Sequence, residues 1–289
     1  MPKYLFLIPL YNDWRSLNLL LKKINLELSK KKRVAEIIIL NDASISKKKI
    51  FKKQLFFLKR IKIINLKTNL GSQKAISIGL KYVSNLKKNF IITVMDSDGE
   101  DDPSKINEMI DVAEKTSDHI IVSSRTKRKE ILIFRILYRI HLFLTFVLTG
   151  KWISFGNYSS FDSKNLSKLQ KNNSSWFALS STIIKNCKIK NIYAERKKRF
   201  FDRSKVSFLS LFFHSLRIVS VFQKRVLVNS ILYIFVLFFL NIILDNYILI
   251  VLIFSLIFIN VSILIAKEYL ELDQFDRRID LIKNIDKIK

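Results

Sequence analysis

The chain is poor in the residues that build covalent staples and most transition-metal centres. Its 289 residues hold one cysteine, Cys187, and three histidines. One cysteine excludes an internal disulfide, and three scattered histidines form no zinc-type cluster, so a reducing, cytoplasmic setting is expected. Acids are scarce as well: 24 Asp and Glu stand against 51 Lys and Arg, a net charge of +27. Such an excess implies an anionic partner, either a membrane surface or nucleic acid. Nothing places aromatics and bases together on one surface, so nucleic acid is not expected. The first apolar run, Leu5 to Leu10, is short and broken by Pro9, which does not match the long core of a signal peptide.

Where acids are few, their densest cluster stands out. It is Asp96-Ser97-Asp98-Gly99-Glu100-Asp101-Asp102-Pro103, placed directly after the apolar run Phe90 to Val94. A strand there delivers two alternate carboxylates to its own carboxyl end, where they can converge on a hard cation. Taken alone, an Asp-x-Asp in such a loop is more often a solvated turn that caps the next helix.

The surrounding order decides between the two. Tyr4 to Leu10 reads as a buried strand, followed by Leu17, Leu20, Leu21, Ile24 and Leu28 at helical spacing, with Asn12 or Asp13 as the cap. Glu36 to Leu40, Ile61 to Asn65, Phe90 to Val94 and His119 to Val122 read as further strands. Helices are expected around Ile50 to Leu58, Ala75 to Leu80 and Ile106 to Ala113. This alternation predicts an α/β domain with a mostly parallel sheet flanked by helices. Asp13, Asp42, Gly71 and Asp96 each follow one of four successive strands, so they are expected on one sheet edge, the usual place for a nucleotide.

Five segments in this order resemble the motif set of the family two inverting glycosyltransferases. They are Pro9-Leu10-Tyr11-Asn12-Asp13, Asn41-Asp42-Ala43-Ser44, Asn69-Leu70-Gly71, Asp96 to Pro103, and Ser124-Arg125. The resemblance implies the GT-A nucleotide-diphospho-sugar transferase fold. It also implies a donor nucleotide held by Pro9, Tyr11, Asp13, Asp42, Gly71 and Asp96, and Mg²⁺ or Mn²⁺ on the diphosphate at Asp98 and Glu100. Asp96, Asp98 and Arg125 would serve the catalytic step. Two departures are visible: the usual Glu of the first segment is Asp13, and the usual Asp-Asp-Gly-Ser is Asn41-Asp42-Ala43-Ser44.

Further on, Phe155-Gly156-Asn157-Tyr158-Ser159 and Arg199-Phe200-Phe201-Asp202-Arg203-Ser204-Lys205 resemble later motifs of the polyprenyl-phosphate branch, which includes dolichol-phosphate mannose synthase and undecaprenyl-phosphate glucosyltransferases. By that likeness Arg125, Arg199, Ser204 and Lys205 would hold the acceptor phosphate, since guanidinium, ammonium and hydroxyl donors suit a phosphate monoester. Asp202 stands where the branch often has Gly.

The last third is dominated by long apolar runs. Ile131 to Phe155 and Val206 to Phe222 are apolar stretches interrupted on one side by Arg135, Arg139 and His141, or by His214 and Arg217. They are expected as amphipathic helices at a membrane interface. Val226 to Leu244 and Tyr247 to Ala266 contain no charged residue and are separated by Asp245 and Asn246. At roughly 1.5 Å per residue each can cross roughly 30 Å of hydrocarbon, which predicts a C-terminal two-helix transmembrane hairpin. Lys224, Arg225 and Lys267 flank it, placing both termini and the catalytic domain on the cytoplasmic side of the inner membrane.

The expected organisation is a nucleotide-sugar-binding core over 1–130, interfacial helices and an acceptor-binding part over 131–225, the hairpin over 226–266 and a solvated tail helix over 267–289. The expected function is transfer of a sugar from a nucleotide-diphospho-sugar to a polyprenyl phosphate, undecaprenyl phosphate in a bacterium. Two alternatives stand beside it: the same donor chemistry with another lipid or lipid-linked glycan acceptor, and a catalytically silent membrane scaffold. A homo-oligomer is compatible with such an anchor.

Overall fold

A computed structural model describes residues 3–47, 50, 54–125, 132–201, 208–240, 246–268 and 273–289. The chain forms two compact units. The first comprises Met1–Lys129, Ser154–Ser204 and Asp273–Lys289, and the second Glu130–Ile153 and Lys205–Leu272.

The first unit is built on a sheet. Its strands are β1 (Tyr4–Leu10), β2 (Ala35–Asn41), β3 (Leu58–Leu66), β4 (Ile91–Val94), β5 (His119–Arg125), β6 (Phe155–Asp162), β7 (Lys188–Ala194) and β8 (Ile282–Lys287). They lie in the order β7-β5-β6-β4-β1-β2-β3-β8. Pairing is parallel for β1 with β2, β1 with β4, β2 with β3, and β5 with β7. It is antiparallel where β6 inserts between β4 and β5 and where β8 covers β3. Along β1 and β2, Leu5 to Ile8 and Ile37 to Leu40 are buried on both faces, as a sheet covered by helices requires.

Helix α1 (Trp14–Lys30) begins at Asp13, whose carboxylate accepts the Ser16 N–H at 3.1 Å, a side-chain cap. Its apolar stripe, Leu17, Leu20, Leu21, Ile24 and Leu28, is fully buried. Helix α2 (Ser72–Asn85) starts after Gly71, and α3 (Ile106–Lys115) continues a 3₁₀ turn over Pro103–Lys105 that is capped by Asp102. The helix expected across Ile50 to Leu58 does not form in its described part: positions 48–49 and 51–53 lie outside the described residues, and Leu58 already opens β3.

Helix α4 (Leu132–Thr149) belongs to the second unit. The short helices α5 (Leu166–Gln170), α6 (Ser174–Phe177) and α7 (Leu179–Asn186) return to the first. The second unit then adds α8 (Phe208–Ser220), α9 (Gln223–Phe239) and α10 (Asn246–Glu268). Within it the polar side chains of the apolar runs join helices. Asn229 donates to the Leu148 carbonyl at 2.9 Å, Tyr233 to the Val147 carbonyl at 2.6 Å, and Asn260 to the Ser230 hydroxyl at 2.9 Å. Asn241 lies outside the described residues. Among the described helices α10 is long and apolar enough to cross a bilayer, whereas Leu211–Ser220 and Gln223–Phe239 qualify only as a pair bent by 90°. Two straight spans are therefore not formed by the described residues.

The tail corrects another expectation. In place of a solvated helix over 267–289, α11 (Asp273–Asp276) and a 3₁₀ turn over Arg278–Leu281 lead into β8. The physical reason is β3, whose backbone would otherwise present an unpaired edge. Ile285 pairs with Ile64, and Asn65 donates to Asp286 at 3.0 Å. The three-residue spacing of Ile282, Ile285 and Ile288 suits a helix, and pairing with the bare β3 edge overrides it.

Candidate active site

Strands β4, β1, β2 and β3 are adjacent and parallel, so their carboxyl ends share one edge. The chain leaves β1 toward β2 on one side and returns to β4 on the other, which makes the β1/β4 border a topological switch point and a natural crevice. Pro9 is the penultimate residue of β1 and Tyr11 is half exposed just beyond it.

The loops at this edge are tied to one another. Asn12, in the left-handed region at φ 58°, donates its N–H to the Ser44 hydroxyl at 2.8 Å, and its side-chain oxygen accepts the Ile45 and Ser46 N–H groups. Asn41 accepts the Ser44 N–H and donates to Asn65 at 2.7 Å. An aspartate at position 41 could not make that donation. The Asp42 carboxylate accepts the Leu70 N–H at 2.7 Å with one oxygen and the Gly71 N–H at 2.8 Å with the other. Asp42 thus shapes the loop after β3, where Gly71 adopts φ 86°. Burial raises the Asp42 pKa above the ordinary carboxylate value, against the lowering effect of the two N–H donors.

The acidic loop folds on itself. Asp101 accepts the Asp96 N–H at 2.9 Å, Asp98 accepts the Glu100 N–H at 3.0 Å, and Gly99 turns the chain at φ 86°. Asp102 is the cap of the turn that opens α3, so the last two acids do structural work. Asp98 is pushed up to about 6, first by burial and then by the neighbouring Asp96 carboxylate. Two carboxylates crowded at a strand end suit a divalent cation, whose charge would relieve both.

Residues 195–201 lie across this loop. The Lys197 N–H donates to the Glu100 carbonyl at 3.0 Å, and the Phe200 N–H to the Asp98 carbonyl at 2.9 Å. Glu100 is held by Arg196 through its Nε at 2.9 Å. Arg199 places Nη2 3.5 Å from Asp98 and 3.9 Å from Asp13, with Nε buried and without a hydrogen-bond partner among the described residues. The residue expected at an acceptor phosphate therefore faces the acids of the donor edge. Arg15 stacks 3.8 Å over the Phe201 ring. Arg125 ends β5, its side chain lying outside the described residues together with Ser204 and Lys205.

Among the described residues no three His, Cys, Asp or Glu side chains converge on one point. A Mg²⁺ site completed by substrate phosphates and water needs only one or two carboxylates. Asp98 fits that role with Asp96 beside it, whereas Glu100 would first have to leave Arg196.

Gln73 and Asn157 were given no role by sequence reasoning. Asn157 donates to the Asp96 carboxylate at 3.0 Å and accepts from Gln73 at 3.0 Å. Asn157 stands within a quoted motif, but Gln73 carries no signal beyond its place in the first turn of α2.

A mostly parallel α/β sheet with its loops and acids gathered at one carboxyl edge defines the class of open α/β proteins that bind their ligands at that edge. Residues 6–187 match the model of glycosyl transferase family 2, and the chain belongs to that family. The fold is accordingly GT-A-like. The chain is 29% identical over 128 residues to the uncharacterized glycosyltransferase YkcC of Bacillus subtilis (strain 168), covering 44% of this chain and 38% of that protein. It is 32% identical over 126 residues to the uncharacterized glycosyltransferase sll0501 of Synechocystis sp. (strain ATCC 27184 / PCC 6803 / Kazusa), covering 43% and 38%. The matched stretch thus spans well under half the length of these relatives. Among solved structures, S. aureus TarS 1-349 in complex with UDP-GlcNAc aligns with a TM-score of 0.42 at 15% identity, over 90% of this chain and 73% of that one.

Proposed function

We propose that the chain is a metal-dependent, inverting glycosyltransferase that moves one sugar from a nucleotide-diphospho-sugar to a polyprenyl phosphate at the cytoplasmic leaflet of a membrane. The observation that carries the reading is the crowding of two partly buried carboxylates, Asp96 and Asp98, at the carboxyl end of β4, in a chain belonging to glycosyl transferase family 2. Asp98, with Asp96 beside it, would hold Mg²⁺ or Mn²⁺. Such an ion supplies charge neutralisation for the departing diphosphate, worth several kcal/mol. The Asp42-braced loop at Gly71 and the half-exposed Tyr11 offer the base and ribose of the donor a backbone-lined place.

The acceptor reading rests on two supports. Helix α10 is long and apolar enough to anchor the chain in a bilayer, and the uncharged apolar run over 226–244 of the sequence is long enough to supply a second anchor. A phosphate monoester is already largely ionised near neutral pH, so in-line attack on the anomeric carbon needs positioning and neutralisation more than a strong base. That suits a site whose sequence offers no conspicuous base.

A second reading has an observation of its own. Arg199 is engaged by Asp98 and Asp13, which takes one cation away from an acceptor phosphate and favours a neutral lipid or lipid-linked glycan acceptor. One assay separates them: full-length protein in detergent with Mg²⁺, labelled UDP- and GDP-sugars, and either acceptor class. The leading reading predicts a lipid-extractable labelled product with polyprenyl phosphate, lost in Asp98→Ala. Product formed only with the neutral acceptor would transfer the case to the second reading.

A further inference from the structure

We propose that Gln73 and Asn157 form a one-way hydrogen-bond relay that fixes the orientation of Asp96 and couples the loop after β3 to the acidic loop after β4. The proposal rests on the donor-site reading above and adds two positioning residues to it.

The chain of contacts has three links. The Leu179 N–H donates to the Gln73 side-chain oxygen at 2.8 Å, the Gln73 amide nitrogen donates to the Asn157 side-chain oxygen at 3.0 Å, and the Asn157 amide nitrogen donates to the Asp96 carboxylate at 3.0 Å. Its direction is set at both ends. A backbone N–H can only donate and an ionised carboxylate can only accept. Each amide between them therefore has one orientation that satisfies the chain, and flipping either would oppose donor to donor and acceptor to acceptor.

Its position gives the relay a purpose. Gln73 lies in the first turn of α2, two residues after Gly71, whose N–H is held by Asp42. Asn157 lies on β6, the strand beside β4. Gln73 is 8% exposed, so water competes little for its bonds and a wrong orientation leaves buried groups unmet. The Asp96 N–H also donates to the Asp101 carboxylate, so main chain and side chain are each braced. A shift of the loop that frames the nucleotide thereby moves the carboxylate beside the phosphate end of the site. Neither Gln73 nor Asn157 needs to touch substrate for this.

The test uses the full chain in detergent and measures dissociation constants for UDP and GDP with Mn²⁺ by calorimetry, with the ligand-free thermal midpoint as the control for folding. Asn157→Leu and Gln73→Leu are each expected to weaken nucleotide binding about tenfold. Because the residues act in series, the double variant should lose no more than Asn157→Leu alone, whereas independent structural damage would multiply. Gln73→Glu, whose ionised carboxylate keeps the acceptor for Leu179 and loses the donor to Asn157, should weaken binding as Gln73→Leu does. Wild-type affinity in Asn157→Leu, or single effects that multiply, would overturn the relay alone. Absence of nucleotide binding by the wild type would overturn the donor-site reading and the relay with it.

Discussion

At the scale of single residues, most of the site's acids hold structure as well as charge. Asp42 braces a loop, Asp101 closes one, Asp102 caps a helix, and Asp98 is left crowded against Asp96. Gly99 shows how tightly that loop is packed. Its φ of 86° disfavours any side chain, and a Cβ there would lie 2.5 Å from the Phe200 ring. Gly99→Ala is expected to cost about 1–3 kcal/mol from the backbone alone, read as a lower midpoint of chemical unfolding, while Gly71→Ala meets the same strain with open space around it. Cys187, at the end of α7, gives a chemical check on burial. Its thiol is raised to about 11 by burial, and a thiolate is the reactive form. Alkylation by iodoacetamide at pH 8 should therefore run about a hundredfold slower in the native protein than after denaturation, as timed by mass spectrometry.

At the scale of elements, β1, α1 and α3 are clipped together where the chain leaves α1. Arg33 bonds Asp111 and, at 3.0 Å, Glu114, and Glu114 also accepts from Lys3 at 2.7 Å and Tyr4 at 2.9 Å. Burial works to raise both carboxyls, but the hydrogen bonds from Lys31 and Arg33 to Asp111, and from Lys3 and Tyr4 to Glu114, outweigh it and hold each below its ordinary value. Depressed carboxyl pKa values contribute stability that is complete above the ordinary values of 3.8 and 4.5 and is lost as pH falls through the folded ones. Acidification below about pH 4 should thus lower the thermal midpoint, and Arg33→Met should flatten that dependence while lowering stability near neutrality. The tail strand makes a separate prediction. Removing 282–289 would bare the β3 edge, so the truncated chain should show a lower midpoint and more self-association by light scattering.

At the scale of the whole molecule, what the sequence could reveal divides along physical lines. The four central strands were legible because strands buried on both faces, such as Leu5 to Ile8 and Ile37 to Leu40, read as unbroken apolar runs. The gathering of Asp13, Asp42, Gly71 and Asp96 followed from those strands being parallel neighbours. Strand β6 was hidden because Gly156, Asn157, Ser159 and Ser160 carry little strand propensity. Its place is set by partners such as Thr93, whose hydroxyl lies 2.7 Å from that of Ser160. Strand β8 was hidden for another reason: a charged tail with Ile every third residue suits a helix until a bare sheet edge competes for it. The segment 195–201 reads from sequence as a basic run, yet Arg196 and Arg199 turn inward to Glu100, Asp98 and Asp13, a pairing that sequence separation conceals. The relay through Gln73 depends on an amide whose partners are 84 and 106 residues away.

The central claim of the proposed function is that Asp98 serves departure of a nucleoside diphosphate as its sugar passes to a lipid phosphate. Its most direct measurement is the rate of nucleoside diphosphate release from UDP- and GDP-sugars by full-length protein in detergent, with and without polyprenyl phosphate, for the wild type and the isosteric Asp98→Asn. The account predicts release that requires both Mg²⁺ and the lipid phosphate, and that falls at least about a hundredfold in Asp98→Asn, since several kcal/mol of charge stabilisation are at stake. Release by Asp98→Asn at the wild-type rate, or release that is indifferent to the lipid phosphate, would contradict it.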